Sequence, residues 1–189
     1  MRRLSVFNQI SVDGYFRTPS GDISWLHQQP DDDEEFKQFT INNSAGDYEL
    51  LFGRKTYEQM ASFWPTPEAA RRFPDVAKHM NRRPKFVVSK TLRKSEWQNT
   101  TVLSGDLVEE IQRLKARAGD PITILGSGSI VSQLAQAGLI DEYQVLVMPV
   151  ALGEGVTMFE GSKKTINLAL TKARTFSNGK AFHVYVPKA

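Results

Sequence analysis

Residues 121–134, PITILGSGSIVSQL, decide the fold. Ile122, Thr123, Ile124 and Leu125 read as a short buried strand, because apolar and β-branched residues suit a pleated, covered surface. Gly126-Ser127-Gly128-Ser129 follows, and then Ile130, Val131, Leu134 and Ala135 fall at helical spacing. A strand that turns through glycines into a helix leaves the first helical N–H groups without partners, at the positive end of the dipole. Such a turn is an anion cradle, or else a tight strand-to-helix turn with Ser129 as its cap. It is not the dinucleotide fingerprint of a Rossmann unit. Val131 stands where the third glycine belongs, and Asp141 and Glu142 come too early for the ribose-binding acid. Nor does Gly-Lys-Ser/Thr follow, as a P-loop requires.

Working outward, YELLFG (48–53) is a strand and RKTYEQMASFW (54–64) a helix. Arg54, Lys55 and Thr56 open that helix, although its positive end favours anionic side chains. The mismatch is explained if an anionic ligand sits there. KFVVS (85–89) is a further strand, and Ser89-Lys90-Thr91 at its end offers hydroxyl, ammonium and hydroxyl to a second phosphate. TVLSG (101–105) and DLVEEIQRLKARAG (106–119) are a strand and an amphipathic helix capped by Asp106. Between strand and helix at 65–84, the proline-punctuated segment suggests short, loosely packed helices.

At the start of the chain, LSVFNQISV (4–12) is a strand that ends at Asp13-Gly14, a turn or the edge of an active site. Pro30 and the acids Asp31 to Glu35 open a helix that runs to about Asn43. Downstream, LIDEYQVLVMPVALGEGVTMF (139–159) gives a long strand running into Pro149 and a Gly153-Glu154-Gly155 loop. INLALTKARTFSNGKAFHVYVP (166–187) is a hairpin about Ser177-Asn178-Gly179. β–α units with an antiparallel finish give one α/β domain over 1–189. Its expected form is a three-layer sandwich whose central sheet is mostly parallel, with an antiparallel C-terminal edge hairpin.

Composition narrows the function. Zero cysteines exclude disulfides, thiolate metal sites and a cysteine nucleophile, and the three histidines show no metal-ligand spacing. A net charge of +3 argues against a nucleic-acid partner, for which Arg71-Arg72 and Arg82-Arg83 are the candidate contacts. No apolar run reaches the length of a membrane span and no signal peptide is visible, so the expected compartment is the cytoplasm. Phosphate cradles with few acid–base groups favour chemistry carried by a cofactor acting on a small molecule.

LLFGRKTYEQM, VVSKTL and ITILGSGSIVSQL, in this order and spacing, resemble the dihydrofolate reductase fold. SVDGY and LIDEYQVLVMPVALGEG more closely resemble the reductase domain of bacterial riboflavin biosynthesis. The resemblance covers nearly the whole chain and implies an NADPH-dependent reductase. Hydride would pass to a small heterocycle, pterin- or pyrimidine-like. It places Arg54 and Thr56 at the NADPH phosphates, and Ser89, Lys90 and Thr91 beside the adenosine 2′-phosphate. Gly126, Ser127, Gly128, Ser129 and Ile130 fall at the pyrophosphate and nicotinamide end. Asp13 is the candidate for a polar substrate contact or proton relay, with Glu35 second. Those riboflavin-pathway reductases carry an Asp-Asn-Pro-type substrate segment where this chain has SFWPTPEAARR, so the substrate itself is undefined. They pair as dimers, and a homodimer is expected. The competing class is a nucleotide-binding module without turnover.

Overall fold

The computed structural model describes residues 1–27 and 33–188. In chain order the strands are β1 (Leu4–Ser11), β2 (Tyr15–Arg17), β3 (Glu49–Gly53), β4 (Lys85–Val88) and β5 (Thr100–Leu103). They continue with β6 (Ile122–Leu125), β7 (Glu142–Met148), β8 (Val156–Thr157), β9 (Leu168–Thr175) and β10 (Ala181–Pro187). The helices are α1 (Glu34–Ala45), α2 (Arg54–Phe63), α3 (Pro67–Arg72), α4 (Pro74–Arg82), α5 (Leu107–Ala116) and α6 (Gly128–Gln136). Eight strands make one sheet in the order β5-β4-β3-β6-β1-β7-β10-β9. It is parallel from β5 through β7, and β10 and β9 close it antiparallel.

Side-chain alternation builds three layers. Leu51 of β3 faces α5 and α6 with Ile111, Leu114, Val131 and Leu134, whereas its neighbours Leu50 and Phe52 face α2 and α4 with Tyr57 and Met80. In β7, Tyr143 and Val145 join the first face while Leu146 and Met148 pack beneath Phe36 and Phe39 of α1. Leu50, Leu51 and Phe52 are all fully buried, as a central strand covered on both sides requires. Each such side chain contributes about 1.5–3 kcal/mol of burial. The three-layer, mostly parallel sheet expected from the sequence is the observed architecture.

Three details differ from the sequence expectation. The helix start placed at Pro30 and Asp31 lies outside the described residues; α1 begins at Glu34, with Asp33 as its N-cap accepting from the Phe36 N–H. The 65–84 segment is not loose. Thr66 caps α3, proline opens both α3 and α4, and Ala69, Ala77 and Met80 are buried. The strand before Pro149 is found, β7 ending at Met148, but beyond the glycine loop Val156-Thr157 forms a further short strand that pairs with β2 in a separate two-stranded ribbon. Among the described residues, no helix is long and apolar enough to cross a membrane.

Candidate functional site

Connections leaving β3 run to β4 and on to β5, toward one edge of the sheet. The connection leaving β6 passes β1 to reach β7, toward the other. β3 and β6 are neighbours, so the chain departs in opposite directions from their carboxyl ends. A crevice opens at such a switch point, and ligands of open α/β sheets bind there. Strand order therefore places together segments far apart in sequence: Ser89-Lys90-Thr91 after β4, Gly53-Arg54 after β3, Gly126–Ile130 after β6 and Asp13 beyond β1.

The two helices that start at the crevice are both bare. α2 has Gly53 as N-cap, no side-chain cap and no acid in its first turn. α6 likewise has no side-chain cap and no acid. By contrast Asp33, Thr66 and Asp106 cap α1, α3 and α5. Free N–H groups and the positive ends of two dipoles thus converge on adjacent strands, beside the cations of Arg54 and Lys55. That arrangement fits an anion such as a pyrophosphate.

The expected cap at Ser129 is corrected: the N-cap is Ser127, in left-handed conformation (φ 59°, ψ 59°), and Ser129 is exposed one residue inside the helix. The Ser127 hydroxyl turns away from its own helix. It accepts the Gly53 N–H at 2.7 Å and donates to Thr56 Oγ1 at 3.0 Å. Gly126 is also left-handed (φ 61°), and a Cβ there would lie 3.0 Å from Thr56 Cγ2. At Gly128 a Cβ would meet the Phe16 ring at 2.9 Å and the Thr157 carbonyl at 3.1 Å. The missing side chain therefore makes room for the β2–β8 ribbon rather than for a ligand. Ile130 is buried in the core.

Beyond β4, the Ser89 hydroxyl accepts the N–H groups of Thr91 and Leu92 at 3.2 and 2.9 Å. Ser89 is a buried former of the turn, and Lys90 and Thr91 are the exposed groups. The Arg54 guanidinium pairs with Glu58 at 2.9 Å on the surface of α2. An exposed i,i+4 pair of this kind is worth about 0.3–0.5 kcal/mol, so an anionic ligand can displace Glu58.

Neither expected carboxylate is placed as a proton donor. Asp13 accepts from Ser11 Oγ at 2.5 Å and from the N–H groups of Gly153 and Leu152. The Ser11 hydroxyl first, and then those amides, hold its carboxyl at about 2. Asp13 is a latch between the β1–β2 turn and the loop after β7. Glu35 pairs with Arg174 of β9 at 2.6 Å, on the surface. β9 lies four interstrand spacings from β6, about 19 Å. The ribbon that seats Phe16 on α6 escaped the sequence reading; Tyr15-Phe16-Arg17 before a turn was its only signal.

The fold defines a doubly wound α/β protein with two uncapped helix starts side by side at its switch point. The chain belongs to the RibD C-terminal domain family, whose model matches residues 2–182. It is similar to the uncharacterized protein YyaP of Bacillus subtilis (strain 168), 29% identical over 185 residues that cover 97% of this chain and 94% of YyaP. Among solved structures it is similar to a Thermotoga maritima diaminohydroxyphosphoribosylaminopyrimidine deaminase/5-amino-6-(5-phosphoribosylamino)uracil reductase. The TM-score is 0.70 at 12% identity, over 99% of this chain and 57% of that one. It is also similar to Enterococcus faecalis dihydrofolate reductase complexed with NADP(H), with a TM-score of 0.63 at 17% identity over 99% and 97% of the two chains. The dihydrofolate reductase-like fold expected from the sequence is thereby found.

Proposed function

We propose that the chain is an NADPH-dependent reductase that delivers hydride to a C=N or C=O bond of a small pyrimidine- or pterin-like heterocycle. The observation that carries this reading is the pair of bare helix starts side by side at the switch point, flanked by Arg54 and Lys55, in a chain of the RibD C-terminal domain family. The family likeness supports the reaction class: the Thermotoga protein is named a uracil-type reductase, and the Enterococcus enzyme is complexed with NADP(H). When bound, the dinucleotide supplies the hydride. The N–H groups opening α2 and α6 would hold its pyrophosphate, with Arg54 beside them, and Lys90 and Thr91 would meet the 2′-phosphate. Asp13 has no proton to give at neutral pH, and its part is to hold the loops that carry the ribbon over α6. The protein contributes orientation and a fixed electrostatic environment.

A nucleotide-binding module without turnover is the second reading, favoured by the absence of a placed proton donor at Asp13 or Glu35. Absorbance at 340 nm decides between them. A reductase consumes NADPH with at least one member of a panel of pyrimidines, pterins and quinones, whereas a module binds NADPH and consumes none. The assembly that fits the fold is a homodimer: β9 is an open sheet edge, and Leu170 on it is 55% exposed.

A further inference from the structure

We propose that Ser127 is the positioning residue of the crevice, a clasp that holds the starts of α2 and α6 together so that both address one anion. This rests on the reading of the crevice as the pyrophosphate site. The first observation is conformational. Ser127 follows left-handed Gly126 and is itself left-handed, where glycine would be the relaxed choice. A strained non-glycine residue persists when its surroundings hold it. Here the hold is visible: its hydroxyl bonds the Gly53 N–H, 74 residues away, and Thr56 Oγ1, 71 residues away.

The second observation is where those bonds go. An N-cap serine ordinarily turns its oxygen back onto the second or third N–H of its own helix. Ser127 instead reaches the N-cap residue of the neighbouring helix. Capping of α6 is forgone, and the α6 donors stay bare while α2 is pinned beside them.

The third observation is packing. Gly53 lacks the Cβ that would press on Ser127 Oγ at 3.1 Å, and Gly126 lacks the one that would press on Thr56. Two glycines therefore make room for one interlock. The fourth is polarity. The Gly53 N–H donates to Ser127 and Ser127 donates to Thr56. Thr56 Oγ1 is thus an acceptor already, and its own hydrogen has no acceptor among the described residues. A relay of donors that ends on an unused O–H is strengthened along its length and suits a phosphate oxygen at its end. Thr56 is then the group that touches the ligand, and Ser127 acts through it.

Ser127→Gly is the decisive variant, because it releases the strain as it removes both bonds. Its melting temperature should stay close to wild type while its Kd for NADPH rises at least tenfold. Thr56→Val, within helix α2 and of nearly unchanged shape, should lose affinity similarly, and Thr56→Ser should restore it. Adenosine 2′-monophosphate, which carries no pyrophosphate, is the control competitor: its affinity should not change in any variant. NADPH affinity unchanged in Ser127→Gly and Thr56→Val overturns the clasp. Equal loss of NADPH and adenosine 2′-monophosphate overturns it too, since the damage would then be general. If wild-type protein binds no NADPH, the cofactor reading itself fails and the clasp fails with it.

Discussion

Gly128→Ala tests what the glycine turn is for. An anion cradle would need this glycine so that a phosphate could approach the backbone. The structure gives another reason, since the new Cβ would sit 2.9 Å from Phe16 Cε1, 3.1 Å from Cζ and 3.1 Å from the Thr157 carbonyl oxygen. Contacts below 3.0 Å are not tolerated, so the ring and the β2–β8 ribbon must give way. Phe16 is only 9% exposed and has little room. Overpacking of this kind costs about 1–3 kcal/mol. Replacing glycine inside a helix returns at most about 1 kcal/mol, less at the first position. The net is a destabilisation of about 1–2 kcal/mol, which lowers Tm by about 2–8 °C in a chain of this size. Phe16→Leu removes the two ring atoms that collide. In a double-mutant cycle by urea unfolding, it should recover at least about 1 kcal/mol of the loss in the Gly128→Ala background. A Gly128→Ala protein of unchanged stability, with NADPH affinity lost, would refute the packing argument and restore the cradle.

Lys90→Ala should weaken NADPH about ten- to a hundredfold while barely affecting NADH, and Arg54→Ala should weaken both cofactors alike by a similar factor, since a charged hydrogen bond contributes about 1.5–3 kcal/mol. Fluorescence titration of both cofactors checks this; equal losses in Lys90→Ala would move Lys90 from the 2′-phosphate to the pyrophosphate, a loss confined to NADPH in Arg54→Ala would move Arg54 the other way, and salt should shrink the effect. The Asp13 carboxyl is held at about 2, below its unfolded value near 3.9. Its stabilisation is therefore present above about pH 4 and is lost as pH falls through 2. Asp13→Asn should flatten that part of the acid-unfolding curve, and a curve superposable on wild type would sink the latch. Light scattering should report a dimer of about twice the 21.3 kDa chain, and a monomer mass at micromolar concentration would contradict the open-edge argument.

The sequence shows the sheet because its signals are local. ITIL, then glycines, then Ile130, Val131 and Leu134 at helical spacing need nothing beyond their own neighbours, and YELLFG before RKTYEQM reads the same way. The site's inner arrangement depends on partners remote in the chain. Ser129 looks like the cap of α6, and the role of Ser127 stays hidden because the atoms that claim its hydroxyl belong to Gly53 and Thr56. Asp13 looks free because the amides that hold it lie at Leu152 and Gly153. Gly128 looks like a ligand contact because Phe16 arrives from the other end of the chain. The ribbon was invisible for a different reason: strands of three and two residues are too short to show any period. Glu35 looks available in its acidic helix start because the Arg174 that pairs with it lies 139 residues away in the chain.

The most direct test of the central claim is a backbone amide map of the 15N-labelled protein titrated with NADPH. If the bare starts of α2 and α6 hold the pyrophosphate, the largest shift changes at saturation fall on the amides of Arg54, Lys55, Thr56, Gly128 and Ser129, with Lys90 and Thr91 next. Saturable binding that leaves these amides unmoved would contradict the claim, above all if it shifted residues of the groove beneath α1, such as Asn42, Gln144 and Thr171.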